Sequence, residues 1–124
     1  MALTLTMADL ADITPYEGEN LSAAWTDTER DEVGLQAQAY LCVLLKYDAV
    51  TNWATMNAVY KIILTEYVAR SVAMAGIAFN LSTVGATFSS LIEPEDMIQL
   101  HIYRLENIEK LIRESDKNDF IRTT

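Results

Sequence analysis

The sequence predicts an all-α fold, a small bundle of about four helices around one long apolar helix. Three observations predict it. The stretch from Asn57 to Asn80, NAVYKIILTEYVARSVAMAGIAFN, contains only Lys61, Glu66 and Arg70 as charged residues. Its apolar side chains (Val59, Ile62, Ile63, Leu64, Tyr67, Val68, Val72, Met74, Ile77, Phe79) cover more than half of a helical circumference, so neighbours must pack it on several sides. Apolar residues on both sides of this stretch recur at spacings of three and four, the period of a buried helix face. Glycine and proline are scarce, four and two in 124 residues, which disfavours a turn-rich β fold.

The elements follow in order. Thr6 is a candidate cap for a short first helix through about Ile13, with Met7, Leu10 and Ile13 on its apolar side. Thr14-Pro15 is expected to end it, because the residue before a proline is pushed out of the helical region. Residues 16–24, YEGENLSAA, read as a loop broken at Gly18. Thr26 to Glu29 is a capping box for the second helix, with Trp25 in the staple position before the cap. Asp27, Glu29, Asp31 and Glu32 load its first turn with negative charge, where the helix dipole favours it. Val33, Ala37, Tyr40, Leu41, Leu44 and Leu45 form its expected buried stripe, and Lys46 falls in its last turn. Cys42 lies in the same helix and reads as a small core residue.

Residues 47–55 connect to the central helix, which begins at Trp53 or Asn57 with Asn52 or Thr55 as its candidate cap, and Trp53 is expected to cover a bundle end. Glu66 and Arg70 are four apart, in the order that favours an exposed ion pair. Gly76 weakens the helix and permits close approach of a neighbour. Residues 80–91, NLSTVGATFSSL, are uncharged and rich in Ser and Thr. They are expected to form an extended loop, or a hairpin about Val84-Gly85-Ala86, used for protein contact through Val84, Gly85 and Phe88. Ser90 to Glu93 is a second candidate capping box, with Pro94 at the first helical position. The last helix then runs to about Ser115, with Ile98, His101, Ile102, Leu105, Ile108, Leu111 and Ile112 as its stripe. One helical domain, 1–115, and a polar tail, 116–124, complete the division.

Charge and chemistry narrow the function. The net charge of −9 sits at the two ends of the chain, and no cluster of Lys and Arg exists to replace nucleic-acid counterions. The opening MALTLTMADLAD lacks a basic n-region and does not read as a signal peptide. The run from Ser71 to Glu93, uncharged up to that glutamate, is too polar and too broken to span a bilayer. A soluble, intracellular location is expected. A single cysteine excludes an intrachain disulfide or a cysteine metal cluster. His101, the single histidine, has no evident nucleophile or orienting acid, and reads as structural. No Glu-x-x-His pair, EF-hand spacing, phosphate loop or dinucleotide fingerprint is present. No catalytic, cofactor or metal role is therefore expected, and the chain does not read as an enzyme.

Several strings together resemble the head–tail adaptor (connector) proteins of tailed bacteriophages. They are LTMADLADI near the start, Ala39-Tyr40-Leu41 in the second helix, and TEYVARSVAMAGIAFNLS from Thr65 to Ser82. IEPEDM, Ile92 to Met97, and the tail KNDFIRT complete the set, which spans about residues 3–122. The resemblance implies a helical bundle that assembles into a twelvefold homo-oligomeric ring in the virion neck, made in the host cytoplasm. That ring would join the portal protein to a tail-side connector or stopper and extend the DNA channel without sequence-specific binding. It maps portal contact onto the tail, with Phe120, Ile121 and Arg122, and a subunit or inter-ring contact onto Val84, Gly85 and Phe88. No cofactor and no membrane are implied. An acidic channel wall repels phosphate, and a head-to-tail interface closes into a ring when its rotation allows. The alternative is a small acidic helical regulatory or inhibitory module that binds a basic protein. A small enzyme or cofactor binder in the bundle core is disfavoured by the missing polar constellation.

Overall fold

A computed structural model of the chain describes residues 3–17, 24–83 and 88–114, with side chains excepted over 80–83 and 88–95. Among the described residues it is all-helical, with α1 (Leu10–Glu17), α2 (Asp27–Leu45), α3 (Ala58–Thr83) and α4 (Phe88–Glu114), and no strand. A single 3-10 turn, Trp53–Thr55, lies between α2 and α3. The long apolar helix is the centre of the bundle: α1, α2 and α4 each pack on α3, and α2 meets α4 more lightly. Leu64, Val68, Val72 and Ala73 of α3 are sealed from solvent, with Ile13, Leu41, Leu45 and Ile112 closing on the helix from the other three. The Ala58–Phe79 segment is long and apolar enough to cross a membrane by length and composition. Here it is the core helix of a bundle, packed by three others.

The helix ends show where local signals held. Glu29 reaches back to the Thr26 backbone N–H at 2.9 Å, and the two residues form the expected capping box. Asn57, rather than the expected Asn52 or Thr55, caps α3, its side-chain oxygen accepting from the Val59 and Tyr60 amides at 2.9 and 3.1 Å. Lys46 is not in the last turn of α2 but just beyond it, closing the helix in the left-handed conformation at φ 54°. Gly76 does admit a neighbour, the Trp25 indole, which also lies 5.6 Å from the Phe79 ring.

Three boundaries differ from expectation. Thr6 does not cap α1; Asp9 and Asp12 do, each carboxylate accepting the other's backbone N–H at 3.0 Å. The Thr6 amide donates instead to the Gln38 side chain at 2.8 Å. Pro15 does not end α1, which continues to Glu17. The proline forfeits only the bond to the carbonyl of Ala11, an exposed residue, while Ile13 and Glu17 are buried on either side of it. The extended stretch expected over 80–91 is largely helical backbone: α3 runs through Thr83 and α4 starts at Phe88, with Pro94 inside it rather than at its first position. The proposed turn Val84-Gly85-Ala86 lies outside the described residues.

Side-chain expectations also divide. Val59 and Ile62, expected inside, are 61% and 66% exposed. They precede the part of α3 that α1 covers. Tyr40 is exposed at its edge, stacked 6.1 Å from Tyr67 with its hydroxyl donating to Glu109. Ile102 and Leu111 of the expected α4 stripe face out, while His101, Leu105, Ile108 and Ile112 are buried. Trp53 is half-buried against the core, with the Lys61 ammonium 5.6 Å from its ring centre.

Candidate functional site

The sequence-predicted contact residues are not brought together. Phe120, Ile121 and Arg122 lie outside the described residues, as do Val84 and Gly85. Phe88 is the first residue of α4. The chemistry that the fold does assemble lies elsewhere, in two polar networks that fasten α1 to the bundle.

The first joins α1, α3 and α4. Glu66 projects from α3 and takes a bidentate pair from Arg104 of α4, at 2.9 and 2.8 Å. The same carboxylate accepts from Arg70, one turn along α3, at 2.7 Å. The pair expected to be a solvated helix contact is thus half-buried, because α4 packs over it. Two guanidiniums, Arg104 foremost, hold the Glu66 carboxyl below the usual range against the opposing effect of burial. Glu66 in turn raises Arg104.

Arg70 continues the network. A second guanidinium nitrogen lies 3.1 Å from Nδ1 of His101, and its plane sits 4.4 Å from the Tyr16 ring centre. Nε2 of His101 lies 3.2 Å from the Tyr16 carbonyl. A carbonyl only accepts, so Nε2 carries the proton and Nδ1 accepts from Arg70. The imidazole is therefore neutral, 3% exposed, and edge-on to Tyr16 at 5.8 Å. Burial pushes its pKa below the ordinary value and the neighbouring Arg70 charge pushes the same way, against the bond to the Tyr16 carbonyl, which favours the charged ring. Both ring nitrogens are committed to structural partners.

The second network joins α1 to α2. Glu17, the last residue of α1, is 4% exposed. Its carboxylate takes Arg30 in a fork at 2.8 and 3.0 Å and the Trp25 indole N–H at 2.9 Å. Arg30 also donates to Asp27 at 2.9 Å, and Glu17 above all raises its pKa. Ahead of α1, Gln38 accepts the Thr6 and Met7 amides at 2.8 and 2.7 Å, and the Thr65 hydroxyl donates to the Met7 carbonyl at 2.6 Å. Thr4 donates its amide to Asp31 at 2.8 Å.

Sequence reasoning passed over Glu17, Gln38 and Arg104. Glu17 sat in a presumed loop, and nothing local marks a buried glutamine. The one available signal was the spacing of His101 and Arg104 on the inner edge of α4's stripe, within reach of the Glu66–Arg70 pair if the helices ran antiparallel. Among the described residues no cluster of His, Cys, Asp and Glu could hold a metal ion. Cys42 is free and half-buried. The one surface hollow that stands out is shallow and lies along α4, lined by Glu106, Glu109, Lys110, Arg113 and Glu114.

Some of the exposed apolar side chains gather at one end of the bundle, while Leu10, Leu35, Tyr40, Leu100, Ile102 and Tyr103 are exposed elsewhere along it. Trp25 meets Gly76 while Tyr40 meets Tyr67, so α2 and α3 run antiparallel. Arg104 meets Glu66 while His101 meets Arg70, so α3 and α4 do too. The end of α2, the start of α3 and the end of α4 therefore share one end of the bundle. Val43, Val59, Ile62 and Leu111 are exposed near it. No protein-family model matches the chain, no curated protein matches it, and no solved structure matches it.

Proposed function

We propose that the protein is a structural component of a virion neck, a head–tail adaptor whose copies form a ring between the portal and the tail-side connector. The observation that carries this reading is the exposed apolar set Val43, Val59, Ile62 and Leu111 near one end of an acidic helical bundle. Apolar side chains on one end suit burial between copies of the chain and against a neighbouring ring. The sequence after α4 carries Phe120, Ile121 and Arg122, and these residues are the proposed portal anchor. Val84 and Gly85, which fall between α3 and α4 in the sequence, and Phe88, the first residue of α4, are the proposed contact to an adjacent subunit or ring. The assembly works by shape and packing, and its acidic surface lets DNA pass without adhering.

The alternative, an acidic module that engages a basic protein through Asp27, Glu29, Asp31 and Glu32, has less support. Three of those four carboxylates already serve the fold: Asp27 on Arg30, Glu29 in the capping box and Asp31 on the Thr4 amide.

Affinity capture of the tagged chain from its native lysate, with lysine cross-linking, tests the reading. Cross-links to a portal ring and to a tail-side protein are expected, and Phe120→Asp with Ile121→Asp should abolish the portal links while leaving the fold intact. Recovery of a basic enzyme or regulator with no particle proteins would overturn the adaptor in favour of the acidic module.

A further inference from the structure

We propose that His101 is a pH-sensitive latch that holds the C-terminal end of α1 on α3 and α4. The geometry carries this. His101 is the hinge point of three elements: it sits on α4, accepts from Arg70 of α3 at 3.1 Å, and donates to the carbonyl of Tyr16, the penultimate residue of α1. The bond from Arg70 requires an unprotonated Nδ1 and so the neutral ring; the Nε2–H donation to Tyr16 is open to either form, so the latch turns on the Arg70 contact and on the cover that α1 gives the ring.

Protonation adds the second proton at Nδ1, the atom that accepts from Arg70. Two donors, each bearing a positive charge, then face one another across a contact closed to solvent. The hydrogen bond is lost and a like-charge repulsion replaces it. Arg70 cannot leave without consequence, since its guanidinium also covers the Tyr16 ring.

The surrounding charges do not rescue the imidazolium. From α3, Glu66 is the nearest described carboxylate of the network, and Arg70 and Arg104 already occupy it. From α4 itself comes Arg104, a further positive charge one turn along. From α1, the Tyr16 ring lies edge-on, and the adjacent Glu17 carboxylate is taken by Arg30 of α2 and by Trp25. Among the described residues no free carboxylate faces the ring. Burial and the Arg70 charge outweigh the Tyr16 carbonyl, which favours the imidazolium, and leave His101 harder to protonate than usual.

The sign follows from linkage. A histidine that is harder to protonate when docked contributes full stability above its ordinary pKa of 6.5, and loses it as pH falls below that value. The docking equilibrium of α1 weakens by up to about tenfold per pH unit until the docked ring itself titrates. Above pH 7 the latch is closed; in a mildly acidic compartment or medium it opens, freeing α1 ahead of the rest of the bundle.

Amide hydrogen exchange of the full chain between pH 7.5 and 5.0, corrected for intrinsic rates, reads this directly. Amides of α1 are expected to lose protection about tenfold or more relative to those of α2 and the second half of α4. His101→Gln, which keeps one acceptor and one donor but does not titrate, should abolish that selective loss. Because His101 is the only histidine, its ring resonances give a second reading in the unmodified chain. Their titration midpoint should lie below 6.5 and coincide with the exposure of α1. Equal pH dependence in the wild-type and His101→Gln chains, uniform loss across all helices, or a ring that titrates without any change in α1 would each overturn the latch.

Discussion

Glu66 and Arg104 are locked in a two-point ion pair across α3 and α4, with guanidinium nitrogens at 2.9 and 2.8 Å from the two carboxylate oxygens. The fork fixes the register of the two longest helices at a position where apolar packing alone would tolerate sliding. Arg70 shares the same carboxylate and passes the constraint on to His101 and Tyr16.

Glu66→Gln should therefore cost about 1–3 kcal/mol, because one neutral amide cannot satisfy two half-buried guanidiniums. Urea unfolding at neutral pH measures it. The wild-type contribution also has a pH signature. The Glu66 carboxyl is held below its ordinary 4.5, so its stabilisation is complete above that value and disappears as pH falls through the folded pKa. The wild-type and variant stability curves should converge in that acidic range. Curves that stay parallel would show that Glu66 is not ionised in the fold.

Glu17 holds a different joint. It is buried, and it satisfies both the Arg30 fork and the Trp25 indole. Glu17→Gln leaves a largely covered guanidinium without its counter-ion, which should cost about 3 kcal/mol. A thermal melt followed by tryptophan emission would report both the lost stability and the altered indole environment. A variant as stable as the parent would mean that Arg30 finds full compensation from Asp27.

Gln38 is the anchor of the segment before α1. Its one side-chain oxygen accepts two backbone amides, from Thr6 and Met7. Gln38→Leu keeps the volume but strands both donors, the Met7 amide in a buried setting, at a cost of about 1–3 kcal/mol. Limited proteolysis should then cut within residues 3–9 faster than in the parent, with the bundle core left intact. Unchanged cleavage would assign the anchoring to Thr65, whose hydroxyl reaches the Met7 carbonyl.

The parts of the fold legible in the sequence were those fixed by local physics. The Thr26–Glu29 box and the apolar length of α3 both depend on neighbours within four residues. Pro15 and Pro94 misled because proline's local penalty is about 3 kcal/mol, a sum that tertiary anchors such as Glu17 and Ile13 can outweigh. The stretch 80–83 read as loop for the same reason, since weak helix formers say little when a long helix continues into them. The polar networks were illegible because each joins residues far apart in sequence, and charge pattern alone does not say that Glu66 will face Arg104. The exposure of Val59 and Ile62 was hidden too: periodicity shows which residues are apolar, not where the covering helix stops.

Two glycines separate a rigid neighbour from a yielding one. A Cβ at Gly76 would sit 2.6 Å from Nε1 and 2.8 Å from Cε2 of Trp25. That indole cannot step aside, because its N–H is bonded to Glu17 and its ring leans on Phe79. Gly76→Ala should therefore destabilise by about 1–3 kcal/mol through overpacking, despite alanine's better helix propensity. A Cβ at Gly34 would come still closer, 2.4 Å from Cδ1 of Leu5, but that atom ends a flexible, half-exposed side chain. Leu5 can rotate away, and the roughly 1 kcal/mol that alanine gains over glycine inside a helix then offsets the lost contact. Gly34→Ala should thus be near neutral in the same denaturant titration in which Gly76→Ala falls well below the parent. Equal losses at the two positions would show that the segment carrying Leu5 is held as firmly as Trp25.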